Sequence, residues 1–240
     1  MMWFFDPIYL LFLLPGILLA AWAQWKVHSA FASASRFKPR SGLAGAEAAD
    51  AILHANSVDG VRIQPVHGHL ADHYDPTART LRLSSDVYGV RSLAAVGVAA
   101  HEAGHAIQHA RGYSLLSLRN ALVPLASFGS QAAWGIFFLG LILASFEWTS
   151  IGRIFVYVGI GAFALTVLFQ LVNLPVEFDA SRRARIALQE TGIVTPEEDR
   201  EVGRVLNAAA LTYVAATLTG VLTLLYFLFR SGLLGRRSDD

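Results

Sequence analysis

The chain has no cysteine. That absence excludes disulfides, thiolate metal ligands and a cysteine nucleophile, and it fits a reducing compartment. Charge is also scarce. Only 15% of the 240 residues are Asp, Glu, Lys or Arg, against about 25% in an ordinary soluble domain. Lys and Arg number 19 and Asp and Glu 18, for a net charge of +1, so bulk charge gives no reason to expect a nucleic-acid partner. Internal repeats and low-complexity segments are missing, and nothing in the sequence sets an oligomeric state. Apolar residues are abundant: 54% of the chain is hydrophobic and the mean hydropathy is +0.46. Together these point to a membrane protein rather than a soluble one.

The apolar residues fall into four runs, each long enough for the roughly 20 helical residues that cross a bilayer. They cover 7–25, 122–146, 151–172 and 208–229. Trp3, Trp22, Trp25, Trp148 and Tyr226 stand near run ends, where amphipathic rings suit the headgroup region. The first run has two readings. Ala21-Trp22-Ala23 resembles a signal-peptidase site, but the preceding residues include Asp6 and no Lys or Arg, and a signal peptide starts basic. An uncleaved anchor is the expectation.

These runs divide the chain into spanning segment 1–25, a polar region 26–121, spans at 122–173, a second polar region 174–207, a last span at 208–230 and a tail, 231–240. Lys26, Arg36, Lys38, Arg40, Arg111 and Arg119 fall in or beside the first polar region, and Arg182, Arg183, Arg185, Arg200 and Arg204 in the second. The other side holds Arg153, Arg230, Arg236 and Arg237. The excess of positive charge places both polar regions in the cytoplasm, with the N-terminus outside. Within the first region, 35–45 reads as a loop, 46–55 as a short helix and 61–66 as a strand. Residues 70–84 read as a hairpin turning at Asp75-Pro76, and 92–110 as a buried helix too short to span.

That buried helix carries His101-Glu102-Ala103-Gly104-His105. Histidines four apart lie on one helix face and can share one metal ion. Neutral imidazoles suit zinc, and a catalytic zinc keeps one position for water, whose pKa it lowers to about 7. Glu102 stands beside the pair as a general base, and Gly104 permits another segment to approach closely. Incidental histidines are a poor alternative, since two histidines and a glutamate are costly to bury in an apolar helix without a role.

A third protein ligand is required. His109 lies about 12 Å along a regular helix from His101, too far to share the ion. The longer pattern with a third histidine would need Gly at 108 and His at 111; the chain has Gln108 and Arg111. His67, His69 and His73, in the hairpin region, remain alternatives, though solvated loop histidines account for them better. Glu177 follows the third run, and two spans separate it from His105, so both lie on the same side of the membrane. Its other reading is a carboxylate at a helix start after Pro175.

The segments 7–26, 70–85, 98–108, 175–183 and 206–215 resemble the YugP-like bacterial membrane zinc metallopeptidases over nearly the full length. The resemblance to the HtpX and CaaX-prenyl protease group is more distant; there the His-Glu-x-x-His motif is followed by Glu-x-x-x-Asp on a second helix. It implies His101, His105 and Glu177 as ligands of one Zn2+, Glu102 as the base, and a multi-pass protein of the bacterial inner membrane with its active site toward the cytoplasm. One position departs: Ser181 stands where that group has an Asp orienting the first histidine. Asp179 is no simple replacement, since residues two apart face opposite ways on a helix. By resemblance to gluzincin-like enzymes the 70–84 hairpin would take an extended peptide as an added strand. Asp72, His73, Tyr74 and Asp75 would then line the cleft, with turn formation the plainer role for the Asp and Pro residues. Tyr213, near Asn207 at the start of the fourth run, would stabilise an oxyanion or anchor the helix at the interface.

The expectation is a mainly α membrane protein: four transmembrane helices and a small cytoplasmic α+β zincin-like (gluzincin-like) catalytic domain. Its partners would be a peptide or membrane-protein substrate and the lipid bilayer. A metal-binding scaffold without protease activity is the reading from another class, and intact Glu102 argues against it.

Overall fold

The computed structural model describes residues 7–68, 71–146 and 149–234. Trp3, His69, Leu70, Trp148, Arg236 and Arg237, which entered the expectations above, lie outside them. The elements are α1 (Pro7–Ala34), α2 (Gly45–Ala55), β1 (Arg62–Val66), β2 (His73–Asp75), β3 (Thr80–Ser84), α3 (Leu93–Ala110), α4 (Ser114–Ser145), α5 (Thr149–Glu190) and α6 (Pro196–Arg230). The chain is mainly helical, and α1, α4, α5 and α6 are long and apolar enough to cross a membrane. The residues divide into two compact units.

The first unit, here the apolar unit, takes the chain up to Ala21, Leu118–Asn173 and the chain from Tyr213 on. Leu11, Leu18 and Phe128 are 71%, 61% and 69% exposed, a surface that suits lipid rather than water. Its interior is aromatic. Phe137 stacks on Phe227 at 4.1 Å, and Tyr226 meets Tyr9 at 4.9 Å. Tyr226 is therefore a correction: it is 1% exposed and belongs to this core, not to a run end facing headgroups. Its ring faces inward because Tyr9, Phe12 and Phe227 surround it.

The second unit, here the site unit, takes Trp22–Ser117 and Leu174–Thr212. Its three-stranded sheet has the order β1-β3-β2. The β2–β3 hairpin is antiparallel, with Tyr74 opposite Leu81, and β1 joins β3 in parallel. Asp75 closes the hairpin by accepting from the Thr77 and Ala78 amides, both at 3.0 Å, the Asx turn that Asp-Pro favours. Leu81 and Leu83 point into a core shared with Ile52 and Leu53 of α2, Val96, Ala99 and Ala103 of α3, Leu188 of α5 and Val202 of α6. Ser92 caps α3 by accepting from Ala95 N at 3.2 Å. Thr195 and Glu198 close a capping box that starts α6 at Pro196.

Two boundaries differ from expectation. α1 runs on to Ala34 rather than ending near 25. α5 passes through Pro175 without a break. A proline inside a helix forgoes one backbone bond, but apolar residues before it and Ala-Arg-rich turns after it carry the helix on both sides. Glu177 is therefore mid-helix, and the helix-start reading falls.

Candidate metal centre

α3 and α5 meet closely at Gly104. A Cβ there would lie 2.5 Å from the Ala180 carbonyl oxygen, so glycine is the residue this approach permits. The contact brings Glu177, three residues before Ala180 on α5, to both histidines. Glu177 Oε2 lies 3.2 Å from His101 Nε2 and 3.7 Å from His105 Nε2. One ligand atom from each of the three lies within 4.8 Å of the others, and among the described residues this is the one group of three or more metal-ligating side chains so placed. All three are largely buried; the Glu177 side chain is 3% exposed.

The other ring nitrogens are engaged. His101 Nδ1 lies 3.1 Å from Ser181 Oγ. His105 Nδ1 lies 3.0 Å from Gln108 Oε1, a pure acceptor, so Nδ1 of His105 carries its proton. That assignment leaves Nε2 of His105 facing Glu177, a donor to the carboxylate when the ring is protonated and a ligand when it is neutral. Ser181 thus takes up the position that the related pattern gives to Asp. Gln108 is fully buried, and its amide nitrogen donates to Val176 O at 2.8 Å and to Asp179 Oδ2 at 2.9 Å. Asp179 is held in turn by Arg182 and Arg183.

Asp179 is a second correction. It does not face away from the site but is 8% exposed and tied to His105 through Gln108. The long Gln108 side chain, one turn beyond His105, reaches around α5 to meet it. Sequence reasoning weighed Gln108 only as a mismatch to a longer metal motif. The available signal was a glutamine three residues past His105 in an otherwise apolar helix, since a polar group buried there needs partners.

The electrostatics call for a cation. Burial pushes the Glu177 carboxyl up, but hydrogen bonds from His101 and His105 outweigh it and hold the group well below the usual carboxylate range. Burial pushes His105 down, and Glu177 and Glu102 more than compensate, leaving it raised. A buried carboxylate between two imidazoles, with a second carboxylate beside it, is balanced by protons on the rings or by a divalent ion. Two His nitrogens and one Glu oxygen are a catalytic zinc donor set, so these residues fit zinc.

Glu102 is 8% exposed, and its Oε2 accepts the Tyr74 amide of β2 at 2.9 Å. The Tyr74 hydroxyl meets His109 Nδ1 at 2.8 Å, which accounts for His109 away from the ligands. The other candidates have different placements. Asp72 accepts from Ser84 N at 2.7 Å and Ser84 Oγ at 3.0 Å, so both its oxygens pin the hairpin. His73 is exposed, between Ala71 O and Arg82. Asp75 pairs with Arg82. His67 is exposed and outside the metal-ligating group. Tyr213 lies on α6 in the apolar unit, its carbonyl accepting from Thr217 Oγ1, and Asn207 is exposed on the site-unit part of α6.

Comparison with known proteins points to a zinc peptidase family. The family model described as "Putative neutral zinc metallopeptidase" matches residues 9–232. A Bacillus subtilis (strain 168) protein named "Putative membrane protease YugP" is 44% identical over 209 residues, covering 87% of this chain and 90% of that protein. No solved structure matches. The chain therefore belongs to the family described as putative neutral zinc metallopeptidase, with the YugP-like membrane proteins among its members.

Proposed function

We propose that this protein is an integral membrane zinc metalloendopeptidase that hydrolyses peptide bonds of membrane or membrane-proximal proteins. The observation that carries the reading is the meeting of His101, His105 and Glu177 ligand atoms within 4.8 Å beside the buried Glu102 carboxylate. One zinc ion bound there supplies Lewis-acid polarisation of the scissile carbonyl and of a water molecule. The remaining work falls to the chain. Ser181 and Gln108 hold the two imidazoles in place. Glu102 takes the water's proton and delivers it to the leaving amine, and the Tyr74 amide fixes one of its oxygens so that the other is free to act.

The substrate edge is β2. It is the outer strand next to β3, and the Tyr74 amide points away from β3, toward Glu102. By the alternation of an antiparallel strand the Tyr74 carbonyl points the same way. An extended peptide meeting this edge would pair with the Tyr74 carbonyl, the Tyr74 amide being engaged by Glu102, and would have its backbone beside the base, with little demand on its sequence. Substitution of Glu102 by Gln should keep zinc at one per chain and lower cleavage of a casein or peptide substrate by about 10²–10⁴-fold. Undiminished proteolysis would remove Glu102 from the mechanism.

The distribution of Lys and Arg supports a bacterial inner-membrane protein whose site unit faces the cytoplasm. With four spans and an external N-terminus, alkaline phosphatase fused to the C-terminus should be active and green fluorescent protein dark. The reverse pattern would invert the orientation.

A further inference from the structure

A cavity of about 290 Å³ in the site unit is lined in part by Ser57, Asp59, Tyr74, Arg79, Ala106 and His109. It adjoins the base through Tyr74, whose amide holds Glu102 and whose hydroxyl meets His109. Ala106 lies one helical turn beyond Glu102 and His109 about two turns, so this wall runs about 6–11 Å along α3 from the base. An extended chain advances about 3.4 Å per residue, so the cavity is two to three residues from a bond held at Glu102.

Two of its lining residues have a backbone that favours glycine. Among the described residues the non-glycine positions with positive φ are Ser57 (54°) and Arg79 (47°), and both line this cavity. Ser57 follows the end of α2, where its amide bonds His54 O and the Val58 amide bonds Leu53 O, the helix ending that most often carries glycine. Arg79 ends the Asp75 turn before β3, the hairpin position where glycine is again the usual residue. Each side chain is retained where glycine would relieve strain. Neither turn uses the Ser57 or Arg79 side chain in its own hydrogen bonds, which run through backbone atoms at Ser57 and through the Asp75 carboxylate in the hairpin turn.

The donors outnumber the acceptors. Arg79 is exposed and in no ion pair among the described residues, and it offers five N–H groups with no acceptor. Ser57 adds a hydroxyl, Tyr74 and His109 are bonded to each other, and the one lining carboxylate is that of Asp59. We propose that this cavity is a specificity subsite that receives an acidic side chain of the substrate, an Asp or Glu two to three residues from the scissile bond, with Arg79 as its anchor. The proposal rests on the peptidase reading above and names the substrate class of that same site.

The test uses the full-length, zinc-loaded protein in detergent with a peptide library, cut sites being read by mass spectrometry. Wild type should enrich Asp and Glu at one fixed position two or three residues from the cut. Arg79→Gly should lower the acidic-to-neutral ratio at that position by about tenfold or more, the size of a lost charged hydrogen bond. It should also leave Tm unchanged or raise it by about 2–4 °C, because glycine suits that φ; a merely structural arginine would lower it. As a readout free of turnover, acidic peptides should bind the zinc-loaded Glu102→Gln protein, and adding Arg79→Gly should weaken that binding by a similar factor. An unaltered preference in Arg79→Gly, or a preference for Lys and Arg that Asp59→Asn abolishes, would overturn the subsite. Wild type that holds zinc but cuts no peptide would overturn the peptidase reading instead, and the binding measurement would still decide whether the cavity takes acidic chains.

Discussion

In the apolar unit, helices approach through glycine and ring stacking. A Cβ at Gly159 would fall 2.8 Å from the Phe137 backbone, and one at Gly129 would strike the Ala162 carbonyl. In the site unit the close approach at Gly104 serves something else. It brings α5 near enough for Glu177, Ser181 and, by way of Gln108, Asp179 to reach the histidines of α3. The contrast extends to polar atoms. Among the described residues the buried side-chain polar atom without a partner is Gln170 Oε1, in the apolar unit, while Gln108 in the site unit has every polar atom engaged. Shape specifies the first unit and hydrogen-bond chemistry the second. Isosteric changes that alter only chemistry should therefore be severe in the site unit and mild in the apolar one.

Glu177→Ala is the largest break of that contrast. It removes the third ligand and leaves two imidazoles facing a hole, and catalytic zinc needs three protein ligands. Zinc content by elemental analysis should fall far below one per chain, and activity should fall with it, whereas Glu102→Gln loses activity alone. Full zinc content in a folded Glu177→Ala protein would return attention to His67, His69 and His73.

Gln108→Met comes next. It keeps the volume and removes the acceptor for His105 Nδ1 and the donors to Val176 O and Asp179. Groups that orient metal-binding histidines are worth about 10–100-fold in metal affinity, and a loss of that size is expected in a chelator competition assay. Gln108→Glu keeps the acceptor facing His105 but sets a carboxylate oxygen against Val176 O and Asp179 Oδ2, so it should lose at least as much. Equal affinity in wild type and Gln108→Met would mean that the His105 tautomer is set elsewhere.

These differences follow from what a sequence makes legible. The apolar runs, the buried α3, the β2–β3 hairpin and the pairing of His101 with His105 were readable because each depends on local pattern or a four-residue spacing, whereas crossing parity only permitted Glu177 and the family resemblance singled it out. The path of α5 through Pro175 was not, because a local breaker was outweighed by the helical sequence on both sides. Nor was the burial of Tyr226, whose place depends on rings from α1 and α6. The web of Ser181, Gln108 and Asp179 was least legible of all. It depends on how closely α3 and α5 approach at Gly104, and spacing along one helix carries no measure of the distance to another. The facing rule for residues two apart separated Asp179 from Glu177 correctly on α5 alone, and failed once Gln108 reached around from the neighbouring helix.

The smallest expected effect sharpens the contrast from the other side. Gln170 Oε1 lies against Gly220, where a Cβ would fall 2.1 Å from it, and it has no hydrogen-bond partner. A buried carbonyl oxygen left unpaired costs about 1–3 kcal/mol, and replacing such a group by an apolar one of similar shape recovers part of that. Gln170→Leu removes the amide and keeps a side chain of similar volume, so it should stabilise the protein by about 1 kcal/mol. For a chain of this size that corresponds to about 2–4 °C in the detergent melting temperature. Zinc content and the activity of the folded fraction should not change, because the apolar unit is specified by shape. A loss of stability in Gln170→Leu would show that this amide matters to helix packing through its nitrogen, and the division between a unit held by shape and a unit held by hydrogen bonds would have to be redrawn at α5.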